Sequence, residues 1–171
     1  GKIPNLRVLA PELDWNYYAQ YANVCDERTI LFEGSINHRG IEVGVKIDIF
    51  PIDGVPADEK EYLSIHEKIN KLRNILGAKR ILLREVKKFG LKSKLYFILT
   101  KIKYLFKSYA SIQQEINRIA TCIPFDDAEY AANIAFSVTK NRCKKATFLN
   151  YKETEFEGEF FDVITNYDEY L

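Results

Sequence analysis

The order of apolar and polar residues divides the chain into three parts. Residues 1–56 alternate with the period of strands, residues 57–123 repeat apolar side chains at helical spacing, and residues 124–171 return to alternation. Segment 14–29, "DWNYYAQYANVCDERT", fits either a short helix or an irregular strand. Strands, a helical block and strands again predict an α+β domain with a helical insertion. The predicted strands are 6–10, 29–34, 41–50, 130–138, 143–149 and 155–163.

The helical block contains three predicted helices. The first, residues 57–83, opens with acids, which the positive end of a helix dipole favours. Its apolar positions repeat at helical spacing: Leu63, Ile69, Leu72 and Leu76. Gly90 marks a break, after which residues 91–110 and 111–123 follow as a second and a third helix. The closing "NYDEYL" is typical of the start of a helix.

The stretch "VKIDIFPIDGVP", residues 45–56, carries an acid inside an otherwise apolar strand. The apolar residues alternate onto one side, which predicts a surface that packs on a core: Val43, Val45, Ile47 and Ile49. Asp48 falls on the opposite side with Lys46. A proline then ends the strand, and Asp53-Gly54 predicts a turn. Because a carboxylate is costly to bury without compensation, a cation or several donors must lie near Asp48.

The residues alone leave two interpretations of Asp48 open. It is either a structural acid, which pairs with Lys46 or accepts backbone N–H bonds from the turn, or a metal-binding acid in a functional site. Asp53 precedes glycine, a position where aspartate usually serves local turn geometry. His38 and Arg39 belong to the loop that leads into the strand, and the sequence does not show whether they lie near Asp48.

The composition fits one domain, or a little more than one. The 171 residues are 47% hydrophobic and 13% aromatic, which is enough to form a core. The three cysteines lie far apart, which favours reduced thiols in a cytosolic compartment over disulfides or a zinc site. No signal peptide is recognisable, and no apolar run has the length of a membrane-spanning helix.

Positive charge is concentrated in the helical block. The net charge is +1, but residues 79–107 hold ten Lys or Arg and one acid, so this segment carries +9 and the rest of the chain −8. The second predicted helix combines an apolar stripe with a set of lysines, as helices that lie on anionic lipid do. The commoner arrangement is a stripe that faces the core. Nucleic acid is a weaker candidate, because the tyrosines in this helix have core spacing. The lysines are Lys92, Lys94, Lys101, Lys103 and Lys107.

Three stretches resemble the LicD family. "VKIDIFPIDGVP" resembles its signature strand, an apolar residue followed by I-D-I-F-P-L-D-G. "INHRGIEVGVKIDIF" resembles the approach to that strand, where a histidine and a glycine often occur. "EFEGEFFDVITNYDEYL" resembles the family's C-terminal pattern, an F-E-G turn followed by a segment that ends in tyrosine-aspartate and leucine. The match covers residues 29–56 and 147–171, and the helical block has no recognisable signature.

The resemblance implies a nucleotidyltransferase-like fold, here a partial mixed sheet with a basic helical insertion. It also implies transfer of a phospho-alcohol, usually phosphocholine, from a CDP-activated donor such as CDP-choline to lipopolysaccharide, teichoic acid or a related glycan. The related fukutin-type enzymes transfer ribitol phosphate. Such chemistry uses Mg²⁺ to neutralise the diphosphate. By the resemblance, Asp48 is the catalytic metal-binding acid, Asp53 supports the metal site, and His38 and Arg39 contact the donor's phosphate or sugar.

The sequence departs from the family in two motifs. The family's first two acids lie in a W-D-D-D-I-D-like motif upstream of the signature, and a Y-G-D follows its closing segment; this sequence has neither. We therefore expect residues 1–171 to be a single truncated LicD-like domain, with strand-rich parts 1–56 and 124–171 around the insertion 57–123.

The parent protein is expected to act in the cytoplasm, peripherally on the inner face of the membrane, and the truncated domain alone to be inactive. The alternative is a non-catalytic module that docks onto a membrane or a protein partner through its basic helices. A D-x-D motif encoded before Gly1 would favour the enzyme.

Overall fold

The computed structural model of the chain describes residues 4–31, 43–81, 86, 89–136 and 142–170, which form an α+β fold. The helices are α1 (Glu59–Arg80), α2 (Leu91–Lys103), α3 (Tyr109–Ala120) and α4 (Tyr167–Tyr170). The strands are β1 (Leu6–Leu9), β2 (Ala22–Asp26), β3 (Lys46–Ile49), β4 (Asp53–Val55), β5 (Tyr130–Ala132), β6 (Cys143–Lys144), β7 (Tyr151–Phe156) and β8 (Glu159–Ile164).

The described strands form three small antiparallel sheets, where the sequence led us to expect one mixed sheet. Their orders are β1-β2-β3, β4-β5-β6 and β7-β8. Pro51 follows β3 and has no N–H to donate, so the chain leaves the first sheet there and β4 starts the second. The paired strands all run antiparallel, and the two-residue turn between β7 and β8 allows no other arrangement, because a parallel pair needs a long crossover.

Several strand predictions were inexact. β2 lies in the segment left open between helix and strand, whereas residues 29–31 of the predicted strand 29–34 are not in a strand. Predicted strand 143–149 is β6 followed by a 3₁₀ helix, Lys145–Phe148. Predicted strand 155–163 is the end of β7, a turn and β8. The turn has φ of 51° at Glu157 and 84° at Gly158, the positive values that a tight type I′ hairpin turn requires.

The three predicted helices of the block are present with shifted ends, and local signals mark where each of them starts. Asp58 caps α1 by accepting a hydrogen bond from the Glu61 N–H at 2.8 Å. Gly90 immediately precedes α2, as predicted. Ser108 accepts from the Ser111 N–H at 3.0 Å, so α3 starts earlier than predicted and the second helix ends earlier.

The main hydrophobic core lies between α1, α3 and the second sheet. Isoleucines from both helices meet small residues of β4 and β5, so the helical block supplies most of this core. Its buried members are Val55, Tyr62, Ile69, Ile75, Leu76, Tyr109, Ile112, Ile116, Ala120, Ala132, Ile134 and Ala135.

A second, smaller core forms under the first sheet and is bound to the helices by polar contacts. Its buried members are Tyr17, Tyr18, Ala19, Cys25 and Val43. The buried Gln113 on α3 donates its amide hydrogens to the carbonyls of Tyr17, at 3.0 Å, and Ala19, at 2.8 Å. The Tyr109 hydroxyl donates to the Tyr18 carbonyl at 3.0 Å. Side chains of α3 therefore supply the hydrogen-bond donors for the backbone carbonyls of segment 17–19, which is not part of a strand.

Replacement of Gln113 by leucine is predicted to destabilise the protein. It leaves the two buried carbonyls without this donor, so we expect the free energy of unfolding to fall by about 2–4 kcal/mol. Urea denaturation of the two proteins measures this change. The control is Gln114→Leu at the neighbouring, exposed position of α3, which should change stability little. Equal effects of the two substitutions would contradict the anchoring role of Gln113.

Candidate functional site

The signature strand β3 presents its polar side to the protein and its apolar side to solvent. Val43 is buried as expected, but the prediction that the apolar side packs on the core was wrong for Val45, Ile47 and Ile49, which are exposed. Ile47 is 71% exposed, whereas the side chain of Lys46 is 9% exposed. Alternation gives a strand two different sides, but the layer beneath the strand decides which of them is inside.

Two tyrosines form the layer beneath this strand and explain its orientation. The rings of Tyr17 and Tyr18 pack edge to face with centroids 4.7 Å apart. Both hydroxyls donate to the side-chain oxygen of the buried Asn23 on β2, the Tyr18 bond being 3.3 Å long. A tyrosine has an apolar ring and a polar tip, so this layer can bury side chains and still meet polar partners.

Asp48 lies at the centre of a polar network on the inner side of the sheet. Asn23 is its direct cross-strand neighbour, and the Asn23 amide donates to the Asp48 carboxylate. The Lys46 Nζ lies 3.3 Å from the same carboxylate oxygen, Oδ1, and 3.0 Å from the Tyr18 hydroxyl. In the described structure a side chain, Lys46, therefore supplies the cation near Asp48.

Lys46 is held in its charged form. Burial lowers its pKa, but the hydrogen bond to Tyr18, the electrostatic effects of Tyr18 and Tyr21 and the hydrogen bond to Asp48 outweigh burial, and the pKa is raised above its ordinary value. The Lys46 Nζ also lies over two aromatic rings, 5.6 Å from the centroid of Tyr18 and 5.7 Å from that of Tyr21. The network thus fixes one positive and one negative charge side by side.

The described residues do not form a Mg²⁺ site by themselves. Mg²⁺ needs several oxygen ligands in near-octahedral geometry. Oδ1 of Asp48 already contacts Lys46 and Asn23, and its side chain is 34% exposed. Among the described residues there is no group of three or more His, Cys, Asp or Glu positioned to hold a metal.

Asp53 lies in a different setting, at the first position of β4. Its side chain borders a cleft of about 110 Å³ that Glu12, Gln20 and Asn117 also line. Burial raises the pKa of Asp53 to about 6, and the negative charge of Glu12 contributes to the same rise. Asp48 and Asp53 therefore belong to separate sheets with separate neighbours. Asp53 is an acid that changes charge near neutral pH.

The glycine after Asp53 allows a close backbone approach rather than a turn. Gly54 bridges Ile123, and a Cβ at Gly54 would lie 2.8 Å from the Ile123 carbonyl oxygen and 2.8 Å from the Ala128 Cβ. Asp53-Gly54 is thus part of β4, and the predicted turn does not form at these two residues.

Sequence reasoning identified two of the acids but missed most of their neighbours. Tyr17, Tyr18 and Asn23 carry the network around Asp48, and their signal was the dense tyrosine run "NYYAQY" in a polar segment. Glu12 has no comparable signal, because it meets Asp53 only through the fold. His38 and Arg39 lie outside the described residues. The chain matched no family model, no curated protein and no solved structure.

Asp53→Asn is predicted to stabilise the protein at neutral pH. In the folded protein Asp53 keeps its proton up to pH of about 6, whereas the unfolded chain releases it near pH of about 4. Folding stability therefore falls as the pH rises through this window. Asn does not titrate, so the variant does not lose stability in this window. Its free energy of unfolding should exceed that of the wild type by about 1–2 kcal/mol at pH of about 7.5, after allowance for solvent screening.

Unfolding by urea at pH of about 3.5 and 7.5 measures this difference in the two proteins. The control is Asp127→Asn, which alters an exposed acid. A gain for Asp53→Asn that is the same at both pH values would contradict the assignment of a raised pKa to Asp53.

Proposed function

We propose that the chain belongs to a phospho-alcohol transferase of the LicD type. It would transfer phosphocholine or a related group from a CDP-activated donor to a cell-surface glycan or a lipid-linked glycan precursor. The observation that carries the proposal is the inward polar side of β3. A strand that served packing alone would turn its isoleucines inward, whereas this one turns an ion pair inward and leaves Ile47 and Ile49 in solvent.

The inward ion pair has the chemical character that a diphosphate donor requires. The Lys46 side chain is mostly buried, whereas that of Asp48 is partly exposed; a buried charge is costly unless its partner is well placed, and such arrangements occur often at functional sites. Catalysis of phosphoryl transfer is mainly positioning and stabilisation of negative charge. Lys46 offers a fixed ammonium for the donor's phosphates. Asp48, held by Asn23 and partly exposed, is the catalytic carboxylate in this proposal.

The proposed Mg²⁺ requires more acids than the described residues supply. The resemblance to the family assigns those acids to a D-x-D motif. In the part of the chain that the structure describes, β3 has β2 on one side and no strand on the other. A strand added at that open edge would extend the sheet beside Asp48, which is the arrangement that a nucleotidyltransferase-like fold would need.

The remaining assignments follow from the resemblance and from the cleft. His38 and Arg39, in the segment before β3, are proposed to contact the donor's phosphate or sugar. Asp53 is proposed to support the metal site. Among the described residues it lines a cleft together with Glu12, and Asp48 does not line that cleft. The reaction is proposed to take place on the cytoplasmic side of a membrane.

Asp48→Asn is predicted to lower transferase activity by orders of magnitude in the full-length gene product. CMP release from CDP-choline in the presence of Mg²⁺ measures activity, and the melting temperature measures stability. The substitution removes the proposed catalytic charge. It also leaves the Lys46 ammonium without its anion, so some stability should be lost as well.

A second variant separates these two effects. Asp48→Asn with Lys46→Met removes both charges and should recover much of the stability, but no activity. The control is another ion pair of the same sheet, Asp26 and Arg28, whose charged atoms lie 2.7 Å apart and which is changed to Asn and Met. That control should keep its activity. Recovery of activity together with stability in the first double variant would show that the ion pair is structural.

The 171-residue chain is predicted to bind Mg²⁺ weakly. Loss of bound water from Mg²⁺ is costly, and a single carboxylate that already contacts Lys46 and Asn23 does not compensate for it. Titration calorimetry should show no stoichiometric binding at micromolar Mg²⁺. Tight binding by this chain, lost in Asp48→Asn, would mean that it carries a complete metal site.

A further inference from the structure

Helix α2 turns its apolar side to solvent. The exposed residues recur every three or four positions along the helix and just beyond it, so they form one continuous face. The last of them, Phe106, is 98% exposed. This apolar face consists of Leu91, Leu95, Ile98, Leu99, Ile102, Leu105 and Phe106. The other two long helices, α1 and α3, bury their apolar sides in the main core.

The opposite side of α2 is fixed to the protein, so the apolar face cannot turn inward without breaking contacts. Thr100 is buried on that side. Lys101 donates to the Lys79 carbonyl at 3.3 Å, and Lys79 donates to the Tyr104 carbonyl at 2.8 Å. Lys101 therefore points toward α1 and is not one of the surface lysines, although the sequence grouped it with them.

Lysines border the apolar face on both sides. Lys92 and Lys103 are exposed and eleven residues apart, about three turns, so they lie on the same flank. Lys94 lies on the other flank, and Lys107 is exposed just after the helix. No acid occurs between residues 86 and 114. The face is thus apolar in the middle and positive at its rim.

We propose that α2 docks in the plane of an anionic membrane. The apolar face would enter the boundary between headgroups and acyl chains, and the lysines would meet anionic headgroups. At 13 residues α2 is about 20 Å long, and no helix in the described ranges has the length and apolar character to cross a bilayer. Docking does not depend on the proposed transferase activity, because it requires the helix alone.

The charge at the rim selects lipid over a second copy of the chain. Two such faces placed together would bring positive rims into contact, which repel each other. An anionic surface matches the rim and the apolar centre at the same time. Attraction of this kind weakens with salt, because ions screen the exposed lysines.

Vesicle sedimentation tests the proposal. Wild-type protein should sediment with phosphatidylcholine vesicles that contain phosphatidylserine, more weakly with pure phosphatidylcholine, and less in high salt. The triple variant Lys92→Gln, Lys103→Gln, Lys107→Gln should partition about a hundredfold more weakly, since each lysine near such a surface contributes about fivefold. Leu95→Gln, Leu99→Gln, Ile102→Gln should lose at least about tenfold, because exposed glutamine keeps the helix but not the apolar contact.

Control variants separate lipid docking from a general effect of charge, from unfolding and from self-association. Lys60→Gln, Lys68→Gln, Lys71→Gln removes the same charge from exposed positions of α1 and should bind nearly as wild type. Circular dichroism should show that all variants are folded. Failure of the wild type to sediment with phosphatidylserine vesicles would overturn the proposal. So would a lipid-free dimer in ultracentrifugation that the leucine and isoleucine substitutions dissociate, because a second copy would then cover the face.

Discussion

The hydrogen bonds between helix α3 and the irregular segment 17–19 are the constraint on which the first sheet depends. Gln113 and Tyr109 donate to three consecutive carbonyls that lie inside the protein. Arg80 on α1 also donates to the Tyr18 carbonyl, at 3.1 Å, and its guanidinium lies 4.9 Å from the centre of the Tyr18 ring. A buried carbonyl without a donor is costly, so the segment has little freedom to move. These hydrogen bonds therefore fix the position of Tyr17 and Tyr18 under β2 and β3.

The polar side of β3 is inward because those tyrosines are there. Their hydroxyls meet Asn23 and Lys46, and Asn23 and Lys46 in turn meet Asp48. A buried polar network is stable when its members are satisfied, and each bond in it restrains the next. The position of Asp48 therefore depends on the helices, which fix the tyrosine layer, as well as on its own strand. A substitution of Gln113 on α3 should therefore shift the candidate site, although the contacts of Gln113 are with segment 17–20 rather than with Lys46 or Asp48.

The sequence allowed the helices to be predicted, because the information that starts a helix is local. Asp58, Gly90 and Ser108 each mark a start within a few residues of the chain. The inner side of β3 was not predictable in this way. Its partner Tyr18 is anchored through its carbonyl by Tyr109, which lies 91 residues further along the chain. The sequence around Asp53 likewise predicted a turn. The raised pKa of Asp53 depends on burial and on Glu12, which only the fold brings near it.

Two of the exposed apolar surfaces show why an apolar periodicity alone does not define a core. The outer side of the first sheet, with Val8, Ile47 and Ile49, lies beside the edge of β3, where the described residues place no further strand, and such an edge suits the addition of further backbone. The face of α2 presents no such edge, because the backbone groups in the middle of a helix bond to one another, and its rim is positive. We therefore expect a protein strand to add at the edge of the sheet, whereas the face of α2 fits the anionic membrane proposed for it. The period-2 pattern of β3 and the helical pattern of α2 therefore have different consequences, because the backbone hydrogen bonding and the neighbouring charges of the two elements differ.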